Sequence, residues 1–222
     1  MKNQTSTFDW NVSKKENHTK IFVFDLHDVL FERNYLNTIK LIYQIKNKIN
    51  LLKILFNPKF IYNALKMLSV TRVSEAYLIK LSQQHSNFKP YVDTIIDITN
   101  AIMPTWEMFT LIENLKLKGY KVYIFSNIGK ETYNKLMQPY QNLFEYFDGI
   151  HYVHADNDWL AKPHLDAYVE FLKKFNINPT NMVFVDDKPK NVIAAQTLGI
   201  RAIQYKSSKQ IIKQLSLIND TQ

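Results

Sequence analysis

Five short apolar runs, set apart by segments of helix length, most constrain how this chain of 222 residues can fold. The runs are rich in β-branched and aromatic residues, and several are apolar throughout, as is typical of strands covered on both faces. They lie at residues 21–24, 121–125, 150–153, 182–185 and 202–205. These five segments therefore indicate buried parallel strands.

Three of the intervening segments have the pattern of helices. Apolar residues recur at three- and four-residue steps, and a proline or a glycine marks an end of each segment, at residues 105–118, 163–175 and 189–198. Strands that alternate with helices favour a parallel sheet with helices on both of its faces. The sequence thus predicts an α/β fold with a five-stranded parallel sheet.

The stretch after the first strand interrupts this alternation. Residues 33–102 contain no convincing strand, whereas apolar residues repeat there at helical spacing and prolines mark segment boundaries. The cap aromatics, Tyr43, Phe56, Phe60 and Tyr62, are expected to serve in packing. We predict a polar arm at residues 1–17, a core at residues 18–32 and 103–222, and a helical cap at residues 33–102.

Composition narrows the possible functions. The chain has no cysteine, which excludes disulfide scaffolds and thiol nucleophiles and favours an intracellular, cytoplasmic location. No apolar run approaches the roughly 20 residues that a membrane-spanning helix needs, so no membrane association is expected. The net charge is +8, and residues 33–98 hold ten basic against three acidic residues. A solvated basic surface is the simpler interpretation, nucleic acid is an unlikely partner, and nothing indicates the oligomeric state.

Polar side chains stand at the ends of several predicted strands. Asp25 follows the first strand, Ser126 and Asn127 follow the second, and Asp186 and Asp187 follow the fourth. In addition, Lys162 precedes a helix soon after the third strand. Ligands of open parallel sheets bind outside the carboxyl ends of the strands, so these groups are expected to converge on one edge.

In order and spacing, these residues resemble the motifs of the haloacid dehalogenase-like superfamily. The first motif is Phe24-Asp25-Leu26-His27-Asp28, the second is Phe125-Ser126-Asn127, the third is Lys162-Pro163, and the fourth is Val185-Asp186-Asp187-Lys188. The resemblance spans residues 20–205 and implies a Rossmann-like core with the helical cap inserted after the first motif. It also implies a phosphatase whose substrate is a small phosphorylated metabolite.

The resemblance assigns roles to these residues. Asp25 would attack phosphorus and become an aspartyl-phosphate, and carboxylates do act as covalent nucleophiles. Ser126 and the backbone N–H of Asn127 would bind the phosphoryl group. Lys162 would neutralise its charge and pair with Asp25 and an aspartate of the fourth motif.

The same resemblance implies a magnesium site. Carboxylates crowded beside a phosphate need a cation, and Mg²⁺ suits a site made only of oxygen ligands. The expected ligands are Asp25, Asp187 and the backbone carbonyl of His27. Asp186 is either a third ligand or a partner of the ligands, and Asn191 is expected to orient them.

One position departs from the family pattern. Phosphatases of the family usually carry a second aspartate two residues after the nucleophile, but here that residue is His27, and the glycine that commonly follows is Asp28. His27 could replace the aspartate as proton shuttle, because its ordinary pKa near 6.5 suits that work. Alternatively, the protein is a weakened enzyme or a phosphate- or partner-binding protein. A 2-haloacid dehalogenase is a third reading, which the Asp186–Asp187 pair disfavours.

Overall fold

The computed structural model describes residues 20–68, 74–153 and 160–219. Its strands are β1 (Ile21–Phe24), β2 (Phe31–Arg33), β3 (Ile102–Pro104), β4 (Lys121–Gly129), β5 (Gly149–Val153), β6 (Met182–Asp186) and β7 (Arg201–Gln204). Five of them form one sheet in the order β5-β4-β1-β6-β7, and every neighbouring pair is parallel. The predicted five-stranded parallel sheet is confirmed.

Ten α-helices accompany the strands in the described residues. They are α1 (Tyr35–Gln44), α2 (Lys48–Leu55), α3 (Pro58–Leu68), α4 (Ser74–Gln84), α5 (Val92–Thr99), α6 (Trp106–Leu117), α7 (Lys130–Phe144), α8 (Leu165–Phe175), α9 (Pro189–Thr197) and α10 (Ser208–Asn219). The three helices predicted in the core are α6, α8 and α9, with ends that differ from the prediction by at most two residues. Helices α7 and α10 were not among the predicted segments.

The central strand β1 shows why both faces of the sheet are covered. Side chains alternate between the two faces of a strand, and Phe22 and Phe24 pack with residues of α6, α7 and α10, whereas Val23 packs with residues of α8 and α9. All three side chains are fully buried. Helices on both faces of a parallel sheet leave only its strand ends open for chemistry.

The helices α1 to α5 form a bundle between β2 and β3, with a separate hydrophobic cluster that includes Leu51, Phe60 and Phe88. The chain enters and leaves this bundle through β2 and β3, which pair antiparallel with Arg33 opposite Ile102. This two-stranded pairing was not predicted, because three-residue strands with partners about seventy residues away have no visible period. We propose that residues 33–102 are a cap and residues 18–32 and 103–222 the core; the predicted arm at residues 1–17 lies outside the described residues.

The expectation that the cap aromatics serve in packing is wrong for three of the four. Phe60 is buried and lies edge-on against Phe88, but Tyr43, Phe56 and Tyr62 are 82%, 77% and 65% exposed. The helices that carry them are apolar on more than one face, so periodicity identified the helices without showing which face is covered. Within the described residues, no helix has the length and apolar character needed to cross a membrane.

Candidate active site

Strand register brings the predicted residues to one edge of the sheet. Phe24, the last residue of β1, is level with Ile124 of β4 and Val185 of β6. The backbone N–H of Asp25 donates to the Val185 carbonyl at 2.9 Å. Asp25 therefore lies between the carboxyl ends of the two neighbouring strands, beside Asp186.

The second motif sits differently from the prediction. Strand β4 continues through Ser126 and Asn127 to Gly129, and its pairing with β5 is irregular between Phe125 and Gly129. Ser126 and Asn127 therefore lie within the strand and not after it. The sequence interpretation ended the strand at its first polar residue, whereas the extended backbone persists past that point.

Lys162 is buried and links residues near the ends of three neighbouring strands of the sheet. Its Nζ lies 2.7 Å from Oδ2 of Asp186, 3.0 Å from Oδ1 of Asp25 and 2.6 Å from the Phe125 carbonyl oxygen. An ammonium has three donors, and these three acceptors engage all of them. The Asn127 carboxamide accepts from the Lys162 N–H and donates to its carbonyl, each at 2.8 Å. The side chain of Asn127 thus fixes the backbone of Lys162.

The two adjacent aspartates of the fourth motif have different surroundings. Oδ1 of Asp186 accepts from the Lys188 N–H and from the Asn191 amide, both at 2.9 Å, and its Oδ2 accepts from Lys162 and, at 3.0 Å, from Asn191. By contrast, Oδ1 of Asp187 is buried and has no hydrogen-bond partner among the described residues. Both oxygens of Asp186 are therefore occupied by donors of the protein, whereas Oδ1 of Asp187 is not.

The two carboxylate oxygens of Asp25 also differ in their hydrogen bonds. Its Oδ1 accepts from the Leu26 N–H at 2.8 Å and from Lys162, while Oδ2 receives no hydrogen bond from any described residue. Burial raises the pKa of the Asp25 carboxyl, but Lys162, through its charge and its hydrogen bond, outweighs burial with smaller help from His27 and the Leu26 N–H. The pKa is held below its usual range, so the carboxylate is ionised at neutral pH.

The carboxylates fit a divalent cation. Asp25, Asp186 and Asp187 each offer an oxygen within 4.8 Å of the other two. Burial, with Asp25, Asp186 and Asp28 nearby, raises the pKa of Asp187 to about 6, although Lys188 opposes this. Such crowding of anions disfavours the charged form unless a cation offsets it. The unpartnered Oδ1 of Asp187 is the oxygen that best fits a direct ligand role, and the ionised carboxylate of Asp25 lies beside it.

His27 lies in a tight turn after β1. The turn is closed by hydrogen bonds to the carbonyls of Leu26 and Phe31, so no backbone N–H of the described residues engages the His27 carbonyl. Asp28 is exposed and has a φ of 59°, a left-handed conformation that aspartate tolerates and that glycine adopts without strain. Asp28 is thus a turn residue.

A cleft of about 190 Å³ opens beside His27. Asp97 of helix α5 and Asn100, which follows that helix, line one side of the cleft, and helix α7 contributes both polar and apolar residues. Burial lowers the pKa of His27, and the charges of Asp25 and Asp28 oppose this only in part. The imidazole is therefore mostly neutral at pH 7 and faces a space that a small organic group can enter.

Ser126, near the carboxyl end of β4, is buried. One contributor was missed by sequence reasoning: the buried Tyr168 hydroxyl donates to the Asn191 carbonyl at 2.8 Å. A tyrosine on the apolar face of a helix gives no signal of this contact, because it depends on how α8 and α9 pack against each other.

The comparison with known proteins agrees with this geometry. A family model described as haloacid dehalogenase-like hydrolase matches residues 19–199. The sesquiterpene phosphatase astK of Aspergillus oryzae is 31% identical over 115 residues, which are 52% of this chain and 57% of that protein. The match therefore spans little more than half the length of this relative.

Solved structures share the fold. A predicted HAD-like family hydrolase from Porphyromonas gingivalis has a TM-score of 0.64 and 21% identity, covering 92% of this chain and 100% of its own. A HAD family enzyme from Bacteroides thetaiotaomicron, in complex with magnesium and inorganic phosphate, has a TM-score of 0.59 and 21% identity, covering 85% and 94%. The L-2-haloacid dehalogenase of Xanthobacter autotrophicus has a TM-score of 0.55 and 20% identity, covering 84% and 77%. At these identities the likeness concerns the fold alone. Since the family model matches most of its residues, the chain belongs to the haloacid dehalogenase-like hydrolase family.

Proposed function

We propose that this hydrolase is a Mg²⁺-dependent phosphatase that cleaves phosphomonoesters of small metabolites through an aspartyl-phosphate on Asp25. One observation carries the proposal: Lys162, Asn191 and backbone groups occupy both oxygens of Asp186 and Oδ1 of Asp25, whereas Oδ2 of Asp25 and the buried Oδ1 of Asp187 receive no hydrogen bond from the described residues. The phosphatase name of the Aspergillus relative and the magnesium and phosphate bound by the Bacteroides enzyme support it.

In the first half of the proposed reaction, Oδ2 of Asp25 forms a bond to phosphorus and the bond from phosphorus to the leaving oxygen breaks. Lys162 holds Oδ1 of the same carboxylate, which aims Oδ2 at the substrate. The Ser126 hydroxyl and the Asn127 N–H donate to the phosphoryl oxygens. In the second half, water attacks phosphorus, the bond between phosphorus and Oδ2 breaks, and inorganic phosphate leaves as the carboxylate is restored.

Asp25 and Asp187 would hold the Mg²⁺, with the His27 carbonyl beside them and Asp186 aligning Lys162. The ion supplies neutralisation of the phosphate charge. The same arrangement argues against a halide-displacing function, because a buried aspartate oxygen without a partner has no use in a site that needs no cation.

A test of this function uses p-nitrophenyl phosphate with and without Mg²⁺. We expect turnover with Mg²⁺ and none in excess chelator. Asp187→Asn should raise the Mg²⁺ concentration for half-maximal activity by roughly 10- to 100-fold, because the loss of an oxygen anion weakens the site. The matched control is Asp166→Asn, an exposed carboxylate of α8, which should behave as the wild type. Full activity in chelator, or no turnover of any phosphate ester, would refute the proposal.

A second candidate function follows from His27. Because burial lowers its pKa, little of the imidazole is protonated at pH 7, so only a small fraction of the protein carries a proton that His27 can donate to a poor leaving group. A phosphatase restricted to good leaving groups, or a phosphate-binding protein with little turnover, has this property. The leaving group is therefore the variable that separates the candidates.

The His27 prediction compares an alkyl phosphate with p-nitrophenyl phosphate. The rate on the alkyl ester should fall as pH rises through the pKa of His27, since the protonated form is the donor. His27→Ala should slow the alkyl ester by roughly 10²- to 10⁴-fold and the nitrophenyl ester much less. His27→Asp should restore alkyl turnover at neutral pH. If all three proteins share one pH–rate profile on both substrates, His27 is not the proton shuttle.

A further inference from the structure

Helix α1 carries an apolar stripe on its solvent side. Its members are 45% to 83% exposed: Tyr35, Leu36, Ile39, Ile42 and Tyr43. At about 100° per residue they fall within an arc of roughly 120°. No residue of α1 is buried, and the half-exposed positions Thr38 and Leu41 lie on the opposite side of the helix. The most apolar surface of this helix therefore faces water.

The next two helices repeat the arrangement. Helix α2 buries Leu51 and Ile54 and exposes the apolar residues of its other face, namely Ile49, Leu52, Leu55 and the following Phe56. Helix α3 buries Phe60 and exposes Ile61, Tyr62 and Leu65. Twelve of the eighteen exposed large apolar side chains in the described residues thus lie between positions 35 and 65. Single exposed apolar residues are ordinary, but this concentration marks an interaction surface.

The same segment has one sign of charge. Residues 33–73 contain eight basic residues and no acidic residue. Lys40 lies at the border of the α1 stripe and Lys53 at the border of the α2 stripe, and both are exposed. Lys48 lies between the two, with its Nζ 5.1 Å from the centre of the Tyr43 ring. We name the exposed apolar and basic side chains of α1, α2 and α3 the cap face.

We propose that the cap face docks on the surface of an anionic lipid bilayer. Amphipathic helices with leucine, isoleucine and aromatic residues beside lysines bind such surfaces by burying apolar side chains while the lysines meet the anionic headgroups. A second copy of the chain would bring like charges together. A polynucleotide can pair its phosphates with the lysines but leaves the aliphatic side chains in water. An anionic bilayer can both pair with the lysines and bury the apolar side chains.

This mode of attachment needs no membrane-spanning helix. The expectation of no membrane association rested on the missing apolar run of about 20 residues, which concerns crossing a bilayer. Docking uses the exposed face of a folded helix, which the periodicity of the sequence did not distinguish from a buried face. The inference is also independent of the phosphatase activity.

The test is co-sedimentation of the full chain with vesicles. The wild type should bind phosphatidylcholine vesicles that contain phosphatidylserine, should bind phosphatidylcholine alone far more weakly, and should dissociate as salt is raised. Combined Leu36→Ser, Ile39→Ser and Tyr43→Ser substitutions should weaken binding at least about tenfold. Lys40→Gln with Lys53→Gln should weaken it roughly fivefold per lysine.

Matched controls lie outside the cap face. Leu117→Ser with Ile212→Ser removes two exposed apolar residues from α6 and α10, and Lys206→Gln with Lys209→Gln removes two exposed charges. Both control proteins should bind the vesicles as the wild type does, and circular dichroism confirms that all variants fold. The proposal is overturned if the wild type ignores phosphatidylserine, if the controls lose binding equally, or if the α1 substitutions abolish self-association or polynucleotide binding without any vesicle binding.

Discussion

Asp25→Asn is expected to reduce phosphate-ester hydrolysis by on the order of 10⁴- to 10⁶-fold, the range seen when a covalent nucleophile is removed. The amide has the shape of the carboxylate, and its oxygen can still accept from the Leu26 N–H. However, it has no lone pair basic enough to attack phosphorus, and it carries no charge to hold Mg²⁺. The measurement is steady-state turnover of p-nitrophenyl phosphate, together with acid quenching to capture phosphate bound to the protein.

The control for this substitution is Asp28→Asn. Asp28 is an exposed carboxylate three residues away, and asparagine also tolerates its left-handed backbone. Its turnover should match the wild type, and quenched wild type and Asp28→Asn should both retain labelled phosphate, whereas Asp25→Asn should not. A protein-bound phosphate that persists in Asp25→Asn would place the nucleophile at another residue.

The position of these groups could be predicted from sequence because parallel strands end at a common edge. Asp25 and the Asp186–Asp187 pair each come at the end of an apolar run, so their meeting follows from the order of the strands alone. The division of labour among the oxygens could not be predicted. It depends on the positions of the side-chain nitrogens of Lys162 and Asn191. These positions are set by how α8 and α9 pack, which the sequence pattern does not show.

In the cap, the sequence predicts that helices are present but not which of their faces is buried. Periodicity located its helices, but α1 and α2 are apolar around much of their circumference, and only the packing of α5 and the neighbouring helices decides which face is covered. Likewise, β2 and β3 are stabilised by pairing with each other across the whole insertion. Three residues of extended chain carry too little pattern to reveal such a distant partner.

Lys162→Met is expected to lower the free energy of unfolding by about 3–5 kcal/mol, the cost of leaving a buried charge without its partner. Methionine fills similar volume, but the carboxylates of Asp25 and Asp186, which are almost fully buried, then face each other without the ammonium. Denaturant unfolding at pH 7 in chelator measures the loss. Mg²⁺ should restore part of the lost free energy of unfolding, because the ion binds the folded state.

A double-mutant cycle tests whether charge is the cause. Lys162→Met should cost less stability in the Asp25→Asn background, since one of the two buried anions is already gone.

The free energy of unfolding should depend on pH with opposite sign in the wild type and in Lys162→Met. In the wild type Lys162 holds the pKa of Asp25 below its usual range, so this carboxylate contributes stability that is lost as pH falls through the lowered pKa. Without the ammonium, burial raises that pKa, the ionised form destabilises the fold, and mild acid stabilises the variant. The difference in free energy of unfolding between the wild type and Lys162→Met should therefore narrow from pH 7 toward pH 4. If the difference is constant across this range, and is the same with Asp25 as with Asp25→Asn, Lys162 contributes through packing and not through its charge.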